Sequence, residues 1–177
     1  MSLDQIIDNI LKLEGGYVNN PNDHGGPTNF GVIQSEYSVF LGRSASIQDV
    51  KNMKISEARE IFKKKYYLAP KIDTIADGLQ PVVTDACVLY GPKRAIIFLQ
   101  EVLKDHGAEI DADGSIGDKT ATLSKSISAI LGSGILVNAY VNKRIEFCQR
   151  IVARNPSQSV FLKGWTNRSK SFLPKGK

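Results

Sequence analysis

A glutamate at the end of the first predicted helix is the strongest candidate for chemistry in this sequence. Glu14 closes an N-terminal segment with helical apolar spacing and is followed directly by Gly15 and Gly16. A carboxyl group at this end meets the negative pole of the helix dipole, and the dipole together with burial would favour its protonated form. General-acid catalysis near neutral pH requires such a carboxylic acid. We therefore predict that Glu14 donates a proton.

Two polar residues follow Glu14 in a glycine-rich segment. Eight residues separate Glu14 from Asp23, and four separate Asp23 from Thr28. Gly15 and Gly16 would let a ligand approach the backbone beside Glu14. Gly25 and Gly26, between Asp23 and Thr28, are candidate substrate contacts. This combination suits glycoside hydrolysis, in which an acid protonates the glycosidic oxygen and a group across the cleft positions water or stabilises an oxocarbenium-like transition state. We predict Asp23 as base or electrostatic partner and Thr28 as the residue that holds water, and the pattern fits both inverting and retaining hydrolysis.

The elements that would position these residues are mostly helices. Apolar spacing over 3–13 predicts the helix that carries Glu14. The stretch 14–32 holds five glycines, two prolines and four asparagines, which predicts a small hairpin or shaped loop in which pieces around 17–18 and 29–31 pair across a turn at 20–22. Further helices are predicted at 33–41, 56–67, 81–90, from 92 onward, 119–131, 135–154 and after Pro156, with a loop at 106–120. The predicted fold is mainly α.

The glycine-rich string also resembles a known family signature. Residues 14–32, E-G-G-Y-V-N-N-P-N-D-H-G-G-P-T-N-F-G-V, resemble the signature of glycoside hydrolase family 108, a family of N-acetylmuramidases that includes many phage endolysins. The resemblance implies a lysozyme-like fold with Glu14 as catalytic acid. It also implies lysozyme activity on the β-1,4 bond between N-acetylmuramic acid and N-acetylglucosamine, without metal or organic cofactor. Phage-type lysozymes share the spacing between Glu14 and Asp23 but place five residues before the threonine.

The resemblance continues toward the C-terminus. Y-G-P-K-R-A-I-I-F-L-Q at 90–100 and I-D-A-D-G-S-I-G-D-K-T at 110–120 resemble the predicted peptidoglycan-binding region of the same family. This implies a lysozyme-like catalytic region over 1–90 and a helical peptidoglycan-binding region over 91–177 packed on it. Tyr17 and Trp165 could stack on sugar rings and are candidate substrate contacts. For Trp165, packing inside the fold is an equal alternative.

Charge is unevenly distributed along the chain. The net charge is +5, yet residues 119–177 carry 11 basic side chains and one acid, Glu146. Such a segment predicts an anionic partner, and we expect peptidoglycan and the anionic bacterial envelope. One alternative function is a non-catalytic cell-wall-binding or secretion-associated protein. Another is a basic nucleic-acid binder, but no recognised nucleic-acid motif accompanies the charge, so we predict no nucleic-acid partner.

Several kinds of site and location are not indicated by the sequence. No apolar run approaches the ~20 residues that span a bilayer, and the N-terminus lacks the basic region of a Sec signal, so we expect synthesis in the cytoplasm and action in the periplasm or cell wall after release. His24 and His106 lack metal-ligand spacing, and the acidic loop at 111–118 lacks the acid at an EF-hand's twelfth position, so no metal is predicted. Cys87 and Cys148 are predicted to be buried free thiols. The oligomeric state is left open.

Overall fold

The computed structural model describes residues 3–19 and 26–174, and the chain divides into two compact units, Met1–Ala69 and Pro70–Lys177. Helices dominate both units, which confirms the mainly α, lysozyme-like fold predicted from the sequence. The boundary between the units lies between Ala69 and Pro70, before the predicted boundary between the catalytic and binding regions. That functional division at 90/91 stays a prediction.

The first helix of the N-terminal unit, α1, spans Leu3–Glu14. Its buried residues, which form one stripe at helical spacing, are Ile6, Ile7, Ile10 and Leu11. An ion pair between Asp8 and Arg59 joins α1 to helix α4, Ile55–Lys63. Apolar burial and this ion pair therefore fix the helix that ends in Glu14.

A small hairpin forms at the end of the glycine-rich segment. Strands β1, Thr28–Asn29, and β2, Val32–Ile33, pair antiparallel with Thr28 opposite Ile33. The turn residues Phe30 and Gly31 have φ of 50° and 75°, as a type I′ hairpin turn requires. Val18 also bridges Thr28, and both backbone hydrogen bonds of this bridge are 2.8 Å long.

This arrangement corrects the pairing predicted from the sequence. The partner of Val18 is Thr28, and residues 29–31 are a strand end and its turn rather than one strand. The sequence hid the turn because Phe30 adopts a positive φ that is uncommon outside glycine. The turn predicted at 20–22 lies outside the described residues.

Three helices complete the N-terminal unit. They are α2, Gln34–Leu41; α3, Ile47–Lys51; and α4, which continues into one π-helical turn at Lys64–Leu68. Helix α3 was not predicted, since five residues give too little periodicity. It is fixed by a capping box in which Ser46 Oγ accepts from the Asp49 N–H and the Asp49 carboxylate accepts from the Ser46 N–H. Arg43, which pairs with Asp49, and these Ser46 hydrogen bonds hold the pKa of the Asp49 carboxyl well below its usual range.

The C-terminal unit is built around helix α5. Its helices are α5, Gln80–Tyr90; α6, Pro92–Asp105; α7, Asp118–Leu131; α8, Ser133–Arg154; and α9, Ser159–Lys170. Residues 82–87 of α5 are all buried, because α6 and α8 pack against this helix. The predicted helix boundaries of this unit agree with the structure to within a few residues.

A buried ion-pair cluster joins α5, α8 and α9. Asp85 is 3% exposed and Arg144 is fully buried. Arg144 Nη2 donates to Asp85 Oδ2 at 2.6 Å, and Arg168 Nε donates to Asp85 Oδ1 at 3.1 Å. The rings of Tyr90 and Phe172 lie 5.7 and 5.6 Å from the Arg144 guanidinium. Two of the basic side chains in residues 119–177, Arg144 and Arg168, therefore form ion pairs with Asp85 within the fold.

Two remaining predictions concern membranes and thiols. In the part of the chain that the structure describes, no single helix has the length and apolarity to cross a bilayer, although α7 and α8 pass that test as a pair bent by 116°. Cys87 and Cys148 are free and buried, as predicted. Burial raises the pKa of the Cys87 thiol to about 12, so this thiol stays protonated near neutral pH.

Candidate active site

Glu14 is the last residue of α1 and lies at the edge of the N-terminal unit. Gly15 follows with φ of +79° and turns the chain away from the helix axis. The Glu14 side chain is exposed, so the burial expected from the sequence was wrong. The apolar stripe of α1 ends before this position, and the carboxyl projects past the core. It remains at the negative end of the helix dipole and is open to a polymeric substrate.

The Glu14 side chain lies against the turn of the β1–β2 hairpin. A Cβ atom added to Gly31 would stand 3.0 Å from Glu14 Cβ and Cγ and 3.1 Å from Oε2. Real Cβ atoms rarely approach other atoms so closely, and the φ of +75° at Gly31 also disfavours other residues. The missing side chain at Gly31 therefore makes the space in which the Glu14 carboxyl sits.

Hydrogen bonds hold the hairpin in place from its other side. Asn29 is buried, and its Nδ2 donates to the Val50 carbonyl at 2.9 Å at the end of α3. Gln34 Nε2 donates to the Ala45 carbonyl at 2.6 Å, and the Gln34 N–H donates to the Pro27 carbonyl at 3.1 Å. Side-chain amides thus fix the turn that contacts Glu14.

The other predicted residues of this site are only partly visible. Thr28 pairs with Val18 through its backbone, and its Oγ1 donates to the Gly26 carbonyl at a long 3.4 Å. Gly26 has φ of +72°, and Tyr17 is half-buried in the extended segment that ends at the Val18 bridge. The structure therefore places Thr28 and Gly26 in the hairpin region that Glu14 contacts. Asp23, His24 and Gly25 lie outside the described residues.

Trp165 lies in the C-terminal unit on α9. It is half-buried, and its ring centroid is 5.7 Å from that of Phe161, with 30° between the ring planes. The structure therefore gives Trp165 a ring partner while leaving part of its surface open. Both alternatives for this residue, packing and sugar contact, stay compatible with its position.

No metal centre is formed by the described residues, among which no group of three His, Cys, Asp or Glu side chains could hold an ion. The acidic loop that resembles a calcium site in outline is fastened to α6. Asp113 Oδ1 accepts hydrogen bonds from Gln100 Nε2 and the Ser115 N–H, both at 2.8 Å, and the Gly114 N–H donates to Gln100 Oε1. These contacts support the interpretation of the loop as a turn before a helix, and they lower the pKa of the Asp113 carboxyl.

Two residues that position the site had no assigned role in the sequence. Gly31 lies within the recognised string, but its contact with Glu14 depends on the hairpin register. Asn29 was predicted only as part of a short strand piece, and the structure shows that it is buried and anchors β1 to α3. A polar residue placed between a threonine and an aromatic gives no sequence signal for such an anchor.

Comparisons with known proteins find similarity both in sequence and in structure. Residues 7–91 match the family described as "Glycosyl hydrolase 108", and residues 94–170 match the family described as "Predicted Peptidoglycan domain". A solved structure entitled "Structure of Brucella abortus SagA" is similar over 96% of this chain and 90% of that chain, with 28% sequence identity and a TM-score of 0.72. Among curated proteins, none matches the chain significantly.

Proposed function

We propose that this chain, which belongs to the glycosyl hydrolase 108 family and is a glycosidase directed at peptidoglycan, is an N-acetylmuramidase. It hydrolyses the β-1,4 bond between N-acetylmuramic acid and N-acetylglucosamine, as a lysozyme does. The observation that carries the proposal is the placement of Glu14, an exposed carboxyl at a helix end that is held against the hairpin turn at Gly31. A catalytic acid needs both access to the substrate and a fixed position.

In the proposed reaction, the Glu14 carboxylic acid protonates the glycosidic oxygen of the leaving sugar. A bound glycan strand would cover the exposed carboxyl and exclude water from it, which strengthens electrostatic interactions at the reacting bond. The hairpin turn at Gly31 bounds the space open to the Glu14 side chain on one side.

The neighbouring residues take the remaining roles. Asp23 is proposed as the base or electrostatic partner that faces the developing positive charge on the sugar, and Thr28 as the residue that positions water. Tyr17, Gly25 and Gly26 are proposed to contact the substrate. Two features support this assignment for the residues described: Thr28 is fixed by its backbone bridge to Val18, and Gly26 adopts a φ of +72° that favours glycine.

The substrate also fixes the partner and place of action that we propose. Peptidoglycan is the partner, the anionic bacterial envelope is the surface that the basic C-terminal segment meets, and the periplasm or cell wall is the place where cleavage occurs. Neither a metal nor a nucleic acid takes part in this proposal.

The decisive variant is Glu14→Gln, which removes the acidic proton but keeps the shape of the side chain. We expect release of reducing ends from purified peptidoglycan to fall by about 10²–10⁴-fold, as for loss of a general acid. Asp4→Asn is the matched control, because Asp4 is an exposed acid at the opposite end of the same helix, and it should keep its activity. Circular dichroism should show both variants folded.

Two results would contradict the proposal. Wild-type cleavage rates in Glu14→Gln would remove Glu14 from the role of acid. Sedimentation of the wild-type chain with peptidoglycan, without any release of fragments or clearing of a wall suspension, would favour the non-catalytic wall-binding protein instead.

A further inference from the structure

Helix α9 carries an exposed apolar patch near its start. Val160 is 75% exposed and Phe161 is 52% exposed, which is high for large apolar side chains. Gly164 and Trp165 follow one helical turn later, so these four residues share one area of the helix surface. We call Phe161, Gly164 and Trp165, with Val160 at the edge, the aromatic platform.

The two rings of the platform support each other. Their centroids are 5.7 Å apart and their planes are inclined by 30°, which is within the range of favourable aromatic pairs. Each ring therefore restricts the rotamers of the other before any ligand arrives. A ligand that binds such pre-ordered rings loses less conformational freedom on binding.

Gly164 is the less expected member of the platform. It lies inside α9 and is exposed, and glycine weakens a helix interior relative to other residues. Within the part of the chain that the structure describes, no heavy atom outside its two chain neighbours and the nearby backbone of α9 lies within 4 Å of the place where its Cβ would be. Packing inside the chain therefore does not require a glycine here. Its effect is to leave a flat floor between the rings and Val160.

We propose that the aromatic platform binds pyranose rings of the peptidoglycan glycan strand, an inference that rests on the proposed function. The apolar C–H face of a pyranose packs on an aromatic face, and its hydroxyl groups remain available to polar neighbours. Exposed Asn167 lies one helical turn after Gly164 on the same helix and offers N–H donors to hydroxyl, acetamido and carboxylate groups. The platform lies within residues 94–170, which match the peptidoglycan domain family.

This chemistry gives the platform a different salt dependence from the basic segment. Attraction between exposed charges is screened strongly at high ionic strength. Stacking of a sugar on aromatic rings is an apolar interaction, so it persists at high ionic strength. Binding that remains at about 0.5 M salt, where the Debye length is about 4 Å, therefore reports the platform.

The sharpest test is Gly164→Gln in a Glu14→Gln background, in which the wall is not cut. A glutamine side chain has open space at this site and improves helix propensity, so the thermal midpoint should stay equal or rise. The same side chain covers the floor, so sedimentation with purified peptidoglycan at high salt should weaken about tenfold. Phe161→Ala should weaken binding similarly, because it removes one ring.

Gly117→Gln is the matched control, since Gly117 is also exposed, lies in the same unit and has no heavy atom of the described chain within 4 Å of its Cβ position. It should bind as the parent does. Equal binding by the parent and Gly164→Gln would overturn the proposal. So would loss of self-association in Gly164→Gln, measured by analytical ultracentrifugation, with wall binding unchanged, because the platform would then be an interface between two copies.

The binding test of the aromatic platform does not depend on the role of Glu14 as the catalytic acid. If the Glu14→Gln parent still cleaves peptidoglycan, the role of Glu14 fails, and binding can be compared at 4 °C over minutes in wild-type background instead. A difference between Gly164→Gln and Gly117→Gln would then still support the platform. If the parent is inactive and both glycine variants bind equally, the platform fails alone.

Discussion

The position of Glu14 depends on a glycine that is distant in sequence. A Cβ atom added to Gly31 would stand 3.0 to 3.1 Å from three atoms of the Glu14 side chain, and the positive φ of Gly31 belongs to the hairpin turn. The acid is therefore placed by two elements, the end of α1 and the β1–β2 turn. A change at Gly31 should act on catalysis through Glu14 and leave the fold largely intact.

Gly31→Ala should lower the cleavage rate by about 10- to 100-fold, because a displacement of about 1 Å at a catalytic group can cost as much. Gly42→Ala is the matched control. Gly42 has φ of +68°, so it carries similar backbone strain, but no described heavy atom lies within 4 Å of its Cβ position. Steady-state kinetics on solubilised peptidoglycan measures both variants. Equal loss in the two variants would show that strain, rather than the contact with Glu14, is responsible.

Single residues differed in how far the sequence could predict them. The position of Glu14 at the end of a helix was predictable, because the two glycines that follow it mark a helix end. Its exposure was not predictable, because apolar periodicity does not show where the core stops relative to the last helical turn. The anchoring role of Asn29 was not predicted. Its Nδ2 donates to two carbonyl groups at the end of α3, and α3 itself was too short to predict.

At the scale of elements, the Asp85 cluster joins helices that are far apart in sequence. Asp85 on α5 accepts hydrogen bonds from Arg144 on α8 and Arg168 on α9. Arg144 is fully buried, and its Nε and Nη1 have no hydrogen-bond partner among the described residues. The Asp85 carboxylate is therefore the main compensation for a buried positive charge.

Asp85→Ala should lower the free energy of unfolding by about 3–5 kcal/mol, since it leaves the buried Arg144 guanidinium without its counter-charge. Urea unfolding followed by circular dichroism measures the change. Asp105→Asn is the control, because Asp105 forms a mostly exposed ion pair with Lys143 at 2.9 Å, and exposed pairs contribute little. Equal stability of Asp85→Ala and the wild-type chain would contradict the role given to the cluster.

The elements themselves were mostly predictable. Helices α1, α5, α6, α7 and α8 have long apolar periodicity or clear proline and glycine boundaries, and the structure confirms them. The hairpin register was not predictable, because two-residue strands carry no alternation and the turn uses Phe30 at a positive φ. The Asp85 cluster was not predictable either, since its three residues are brought together only by packing of α5, α8 and α9.

At the scale of the whole molecule, the net charge of +5 is a poor guide to the surface that meets the wall. Residues 119–177 hold 11 basic side chains, but Arg144 is buried and Arg168 is largely covered, and both pair with Asp85. The Arg168 charge therefore has a structural partner within the C-terminal unit. In the proposed function, the charge that attracts the envelope must come from exposed residues such as Lys125 and Lys170.

A double variant, Lys125→Gln with Lys170→Gln, should weaken binding to purified cell walls at low salt and have little effect at high salt. Lys51→Gln with Lys71→Gln is the control, because it removes two exposed charges from outside the basic segment. Cleavage of short soluble fragments should stay unchanged in both. Equal loss of wall binding in the two double variants would show that net charge, rather than the basic segment, attracts the envelope.

The identity of the bond that is cut tests the central proposal most directly. Purified peptidoglycan is digested with the wild-type chain, the products are reduced with borohydride, and mass spectrometry identifies the reduced terminal sugar. An N-acetylmuramidase predicts reduced N-acetylmuramic acid at every new end, and no such products with Glu14→Gln. New ends made of reduced N-acetylglucosamine, or of a non-reducible anhydro sugar, would contradict it.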